Sequence, residues 1–205
     1  MSERKIEWLV CGGIAATIFA IFAAFILFPA RGKAPPVYGT LPDFTLIDQN
    51  NQKTTLDTLR GHVCIADVIF TRCAGQCLIM SAGMRDIQAA LAPALQVKLL
   101  SFTTDPAYDT PPVLKKYGAR YGAQDDRWLF LTGDKATLHR TTVEGLKLSA
   151  VEKSAAEQDS ADDLFIHSTK LVLIDQQGRI RGYFDGETQE SVAEAIAAAR
   201  NLALR

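Results

Sequence analysis

The chain has 205 residues, 48% hydrophobic and 22% charged, a globular composition that excludes a collagen-like or disordered protein. Its 22 Lys and Arg against 23 Asp and Glu leave a net charge of −1, so the basic excess expected of a nucleic-acid binder is missing. Four cysteines are too sparse for a disulfide-stapled miniprotein.

Residues 8–28 carry no charged side chain. A helix of that length spans about 31 Å at about 1.5 Å per residue, close to the roughly 30 Å hydrocarbon core of a bilayer. A cleaved signal would have an apolar region of about 7–15 residues ending in small residues. This run is longer and closes on Phe28, Pro29, Ala30 and Arg31, so an uncleaved anchor is expected. Cys11 lies inside it, and Trp8, Leu9 and Val10 before it do not suit lipid attachment. Arg4 and Lys5 precede the span and Arg31 and Lys33 follow it, so the flanking charges balance. The short free N-terminal tail favours an N-terminus in the cytoplasm. The expected organisation is a tail and transmembrane anchor over 1–29, a Pro- and Gly-bearing linker over 30–40, and a mildly acidic domain over 41–205. In a bacterium that domain would lie in the periplasm, tethered to the inner membrane.

Within the domain, residues 44–47 and 53–56 read as two short strands joined by the turn cluster 48–52. Residues 63–70 form a nearly continuous apolar run, as expected of a central strand covered on both faces. A helix is expected over 78–91 and a second buried strand over 97–102. Thr110 and Pro111 open another helix that runs to about Tyr121. Asp134 caps a further helix to about Glu144. Residues 149–163 are polar and aperiodic, a long loop. A second hairpin follows over 171–174 and 179–184, and an Ala-rich helix over 187–204 closes the chain. This order predicts an α/β fold: a central mixed sheet with helices on both faces.

Thr71, Arg72, Cys73, Ala74, Gly75, Gln76 and Cys77 follow the central strand and open a helix. Strand ends that turn into helices are where α/β proteins place their sites. Cysteines four apart share a face at helical pitch, and a helix N-terminus favours thiolate. Two adjacent thiolates can close a disulfide or bind a soft metal ion. His167 precedes the strand that begins near Thr169, where a loop could reach the end of the central strand. Met80 and Met84 fall on the same helical stripe as the cysteines, and two readings stay open for them, transient thioether ligation and core packing. Asp105 follows a strand end and either sits near the site or caps its loop. Asp67, inside the apolar strand, needs a partner that the sequence does not name. Cys64 reads as a core residue, and His62 and His139 as exposed.

The sequence resembles the SCO/SenC family of copper proteins. The likeness runs through Pro42–Leu46, Ile69–Cys73 with Cys77, Thr104–Pro106 with Asp109 and Thr110, Arg127–Asp134, His167 with Ser168, Leu171–Asp175 and Gly178–Tyr183, in that order. The resemblance implies a thioredoxin-like fold after a single N-terminal transmembrane helix, and a copper ion, Cu(I) or Cu(II), held by Cys73, Cys77 and His167. Asp105 matches an aspartate of the family near these ligands, and Met80, by its helical spacing from the cysteines, would stand beside it behind them. Many members have proline after each cysteine, where this chain has Ala74 and Leu78.

Cu(I) is soft and takes thiolates readily, while imidazole also suits copper. Zinc is the competitor, but structural zinc sites normally have four protein ligands, against the three named here. The resemblance implies a membrane-anchored metallochaperone for the binuclear copper centre of cytochrome c oxidase. Its partner would be the copper-bearing oxidase subunit or another copper protein, with no nucleic acid involved. The alternative is a thiol–disulfide oxidoreductase using Cys73 and Cys77 as a redox disulfide. Against it, the spacer has three residues rather than two, and no proline stands between Phe165 and Leu171. A peroxiredoxin is a third reading, but its usual active-site proline and threonine upstream of the cysteine are not matched as a set; a redox or copper sensor without transfer is a fourth, which only a downstream partner would reveal.

Overall fold

The apolar run over 63–70 becomes β4, Val63–Ile69, whose seven residues are all buried. It lies inside a six-stranded sheet of order β1-β10-β9-β4-β5-β6, made with β1 (Gly39–Thr40), β5 (Val97–Thr103), β6 (Trp128–Leu131), β9 (Lys170–Ile174) and β10 (Arg179–Asp185). β5 runs parallel to both β4 and β6, whereas β9 is antiparallel to β4 and β10 to β9. The molecule is described by a computed structural model over residues 35–73, 75–148, 150–152 and 165–205. The span expected over 8–28 and most of the polar loop lie outside the described residues. Among the described residues no helix is long and apolar enough to cross a membrane.

Successive side chains of a strand point to opposite faces, and β4 feeds two cores by this rule. Val63, Ile65 and Ile69 join one cluster with Cys77, Met80, Met84 and Ile87 of α2 (Gln76–Ala90), Leu114 and Tyr117 of α3 (Pro111–Arg120), and Ala195 and Ala199 of α5 (Gln189–Ala203). Cys64, Ala66 and Val68 join the other with Leu46 of the β2–β3 hairpin (Thr45–Ile47, Lys53–Thr55), Leu56 and Leu59 of α1 (Leu56–Leu59), and Leu138 of α4 (Lys135–His139). The mixed sheet with helices on both faces therefore matches the expectation. Each large apolar side chain buried in these layers contributes about 1.5–3 kcal/mol.

Several elements differ from the sequence reading. β6 was not expected as a strand. Its four residues are buried, and the free edge is blunted by Gln49, whose Nε2 donates to the Trp128 carbonyl (2.9 Å) and whose Oε1 accepts from the Phe130 N–H (2.8 Å). The helix after Asp134 is α-helical only to His139 and continues as a π-helical turn over Arg140–Gly145. Asp134 caps it as expected, accepting from the Thr137 N–H at 2.8 Å. The polar loop is gathered at its base by β7 (Ala150–Glu152) and β8 (Phe165–His167), an antiparallel pair with Ala150 opposite His167. Residues 38–40, at the end of the segment read as linker, are tied to the sheet: Gly39 pairs with Ile180, and the Tyr38 N–H donates to the Ile180 carbonyl (2.9 Å).

Candidate metal centre

β4 and β5 run in parallel and end together at Ile69 and Thr103. Residues 70–73 leave this edge of the sheet beside residues 104–110. β9 is antiparallel to β4, with Cys64 opposite Ile174 and Ala66 opposite Val172. The start of β9 therefore lies at the same edge, and β8, which ends on His167, leads into it only three residues earlier. Topology thus brings the backbone of the histidine strand to the edge that carries the cysteine loop.

The cysteines do not share a helix. Cys73 lies in the turn before α2, its N–H donating to the Phe70 carbonyl (3.2 Å), while Cys77 occupies the first helical turn. The turn, rather than helical pitch, brings the sulfurs together. Both are thiols rather than a disulfide; Cys73 is partly exposed and Cys77 fully buried. The Cys77 S–H donates to the Cys73 sulfur, and this hydrogen bond, followed by burial, pushes the Cys77 thiol far above its ordinary range. A backbone hydrogen bond at Phe70 opposes the shift without reversing it, and the nearby Asp67 adds to it. The N-terminus of a helix favours thiolate, but here the second sulfur and the loss of solvent win. A ligand that replaces the shared proton would relieve both.

Asp67 is fully buried on the face of β4 that carries Ile65 and Ile69, so its neighbour across the layer is Cys77. Asp105 does not approach the sulfurs through any described contact. Its carboxylate accepts from Arg72 Nη2 at 2.5 Å, and the Arg72 guanidinium lies 4.4 Å from the centre of the Tyr108 ring. Met80 and Met84 are fully buried core residues. Met80 fills the space that a side chain at Gly186 would need, since a Cβ there would stand 2.2 Å from its Sδ. The Gly186 N–H donates to the Thr169 carbonyl (2.8 Å), two residues past His167, so Gly186 joins the cysteine helix to the histidine segment. Cys64 lies in the opposite core with its thiol pushed up to about 12, mainly by burial. His139 is exposed as expected, whereas His62 is half-buried.

Asp109, which the sequence reading names only within the family likeness and gives no role, belongs to the site's surroundings. It is fully buried, and its carboxylate accepts from the Thr71 N–H (3.2 Å), the Thr71 hydroxyl (2.5 Å) and the Thr103 hydroxyl. Burial pushes this carboxyl up, against the opposing pull of the hydroxyls. The available signal was its place six residues beyond a strand end, directly before a Thr–Pro helix start.

Two soft donors in contact at a partly open edge suit a soft, thiophilic ion; they lack the four closed positions of structural zinc. The SCO1/SenC family profile matches residues 33–203. A SCO1 protein homolog of Bacillus subtilis (strain 168) is 34% identical over 155 residues, covering 75% of this chain and 77% of the relative. A candidate copper-binding protein of Stutzerimonas stutzeri is 33% identical over 145 residues, covering 70% and 68%. Among solved structures, BsSco, described as having a disulfide switch and as a member of the Sco family of cytochrome c oxidase assembly proteins, superposes with a TM-score of 0.67 at 30% identity, covering 83% of this chain and 98% of that one. The mixed sheet with its flanking helices is thus the thioredoxin-like arrangement of these proteins, and the chain belongs to the SCO1/SenC family.

Proposed function

We propose that this chain is a membrane-anchored copper carrier that receives one copper ion on Cys73, Cys77 and His167 and helps assemble the copper centre of cytochrome c oxidase. The observation that carries the reading is the thiol pair: two reduced sulfurs in hydrogen-bond contact, one partly exposed and one buried, at the edge where the histidine strand arrives. The copper is cargo. Two thiolates hold the soft Cu(I) ion, and the imidazole of His167 adds the borderline ligand that Cu(II) favours more strongly. Three ligands leave a position for a partner's donor group, which transfer needs. The oxidase client is drawn from the family to which BsSco belongs. Residues 1–29 would be the anchor, with the folded domain outside the cytoplasm. Alkaline phosphatase fused after Arg205 should be active, and a stable but inactive fusion would reverse that orientation.

The same thiols support a second reading, thiol–disulfide exchange. Cys73, the more exposed sulfur, would attack a partner's disulfide as thiolate and expel one partner thiol. Cys77 would then attack the mixed disulfide, leaving a Cys73–Cys77 bond and a partner reduced by two electrons. Imidazole ligation has no part in this exchange, so His167 separates the readings. The His167→Ala chain should lose oxidase assembly at limiting copper while still exchanging with a disulfide in vitro, and added copper salt should partly restore the oxidase. Full oxidase activity in that variant, with either cysteine variant inactive, would favour the reductase reading.

A further inference from the structure

The Cys73 turn is fastened to the loop after β5 at two depths. At the surface, Arg72 is held by Asp105 (2.5 Å) and lies over the Tyr108 ring. Beneath it, the buried Asp109 carboxylate grips Thr71 by both its N–H and its hydroxyl and also accepts from the Thr103 hydroxyl. Thr103 Oγ1 accepts in turn from the Asp105 N–H (2.9 Å), and the Asp109 N–H donates to the Asp105 carbonyl (2.8 Å). Both residues immediately before Cys73 are thus tied to one short loop, and the inner tie converges on a single side chain.

We propose that Asp109 is a positioning residue for Cys73: acting through Thr71, it holds the turn so that the Cys73 sulfur stays within reach of Cys77. The chemistry of the site calls for a carboxylate. Three donors meet two oxygens that only accept. An asparagine of the same shape offers one acceptor oxygen, and its NH2 keeps the Thr71 hydroxyl only by reversing that bond, so the grip loses its charge-assisted strength. A buried anion whose hydrogen-bond donors are all neutral costs stability. That cost is understandable if the group holds the site rather than the fold. The inference takes from the proposed function only that Cys73 and Cys77 act as a pair, and it holds for either reading of that pair.

Its test uses the full-length, metal-free chain in detergent, equilibrated with glutathione redox buffers. The equilibrium constant for closing the Cys73–Cys77 disulfide reports the effective concentration of one sulfur at the other, which depends on how well the turn is preorganised. Asp109→Asn should lower this constant about tenfold, equivalent to about 30 mV for this two-electron couple, with circular dichroism and urea midpoint close to wild type. Thr71→Val, which keeps the backbone bond and loses the hydroxyl, should lower it about threefold. Thr71→Ser should restore the wild-type value. If Asp109→Asn compromises folding, the Val and Ser variants decide alone. A wild-type constant in Asp109→Asn, or Thr71→Ser behaving like Thr71→Val, overturns the proposal. No copper enters the measurement, so its failure is distinct from failure of copper binding.

Discussion

Two buried aspartates stand at opposite ends of the sheet and do opposite things. Asp109, at the C-terminal ends of β4 and β5, meets only neutral donors. Asp175, in the turn between β9 and β10, accepts from the Gln177 and Arg179 N–H groups (both 3.0 Å), from Arg179 Nε (2.8 Å) and from the buried Arg181 Nη1 (2.7 Å). Burial alone would raise both carboxyls. At Asp175 the Arg179 N–H and the two guanidinium groups outweigh burial and hold it below the ordinary carboxylate range, whereas at Asp109 burial prevails. A lowered folded pKa supplies stability above the unfolded value of about 4, and that stability is lost as pH falls through the folded value. A raised one supplies stability only below about 4 and loses it as pH rises through the folded value. The hairpin end is therefore built for stability at neutral pH, and the cysteine end gives some up.

Breaking the hairpin end should have the largest effect. Asp175→Ala leaves Arg181 buried without its carboxylate and should cost about 3 kcal/mol at pH 7 in urea unfolding, with the gap to wild type narrowing below about pH 4. Gly186→Ala comes next, at about 1–3 kcal/mol, because its Cβ meets Met80 Sδ and the Thr169 carbonyl. Removing the obstruction with Met80→Ala should make the double variant less costly than the sum of the two, and additive costs would separate Gly186 from the Met80 contact. Cys64→Ala, in the core away from the thiol pair, should cost about 1 kcal/mol and leave the chemistry of Cys73 and Cys77 unchanged. Smallest of all, Asp109→Asn should shift stability at pH 7 by less than about 1 kcal/mol. A loss of several kcal/mol there would erase the contrast between the two aspartates.

The strands and helices whose signals are local were readable from the residues: the seven buried residues of β4, both hairpins with their turn clusters, the Thr110–Pro111 start of α3 and the Asp134 cap. What escaped is set by distant partners. Residues 128–131 become a strand by lying against β5 and by the side chain of Gln49, far away in sequence. His167 was expected in a loop, but its backbone pairs with Ala150 across the polar segment. The cysteines were readable as a pair, yet their contact comes from a turn pinned by Asp109 and Arg72, and that turn depends on pairing of β4 with β5. Asp67 shows the same limit. Its burial followed from the apolar run, but its neighbour Cys77 is defined only once α2 packs on the sheet.

Anaerobic titration of the reduced full-length chain with Cu(I), followed by elemental analysis, tests most directly whether Cys73 and Cys77 hold copper with His167. One copper per chain is expected for the wild type and for Cys64→Ala, and none held tightly by Cys73→Ser or Cys77→Ser. His167→Ala should bind more weakly, with a larger loss for Cu(II) than for Cu(I). Because each thiol must release its proton to bind the ion, affinity should rise with pH. Tight stoichiometric copper that survives loss of both Cys73 and Cys77 would contradict the account.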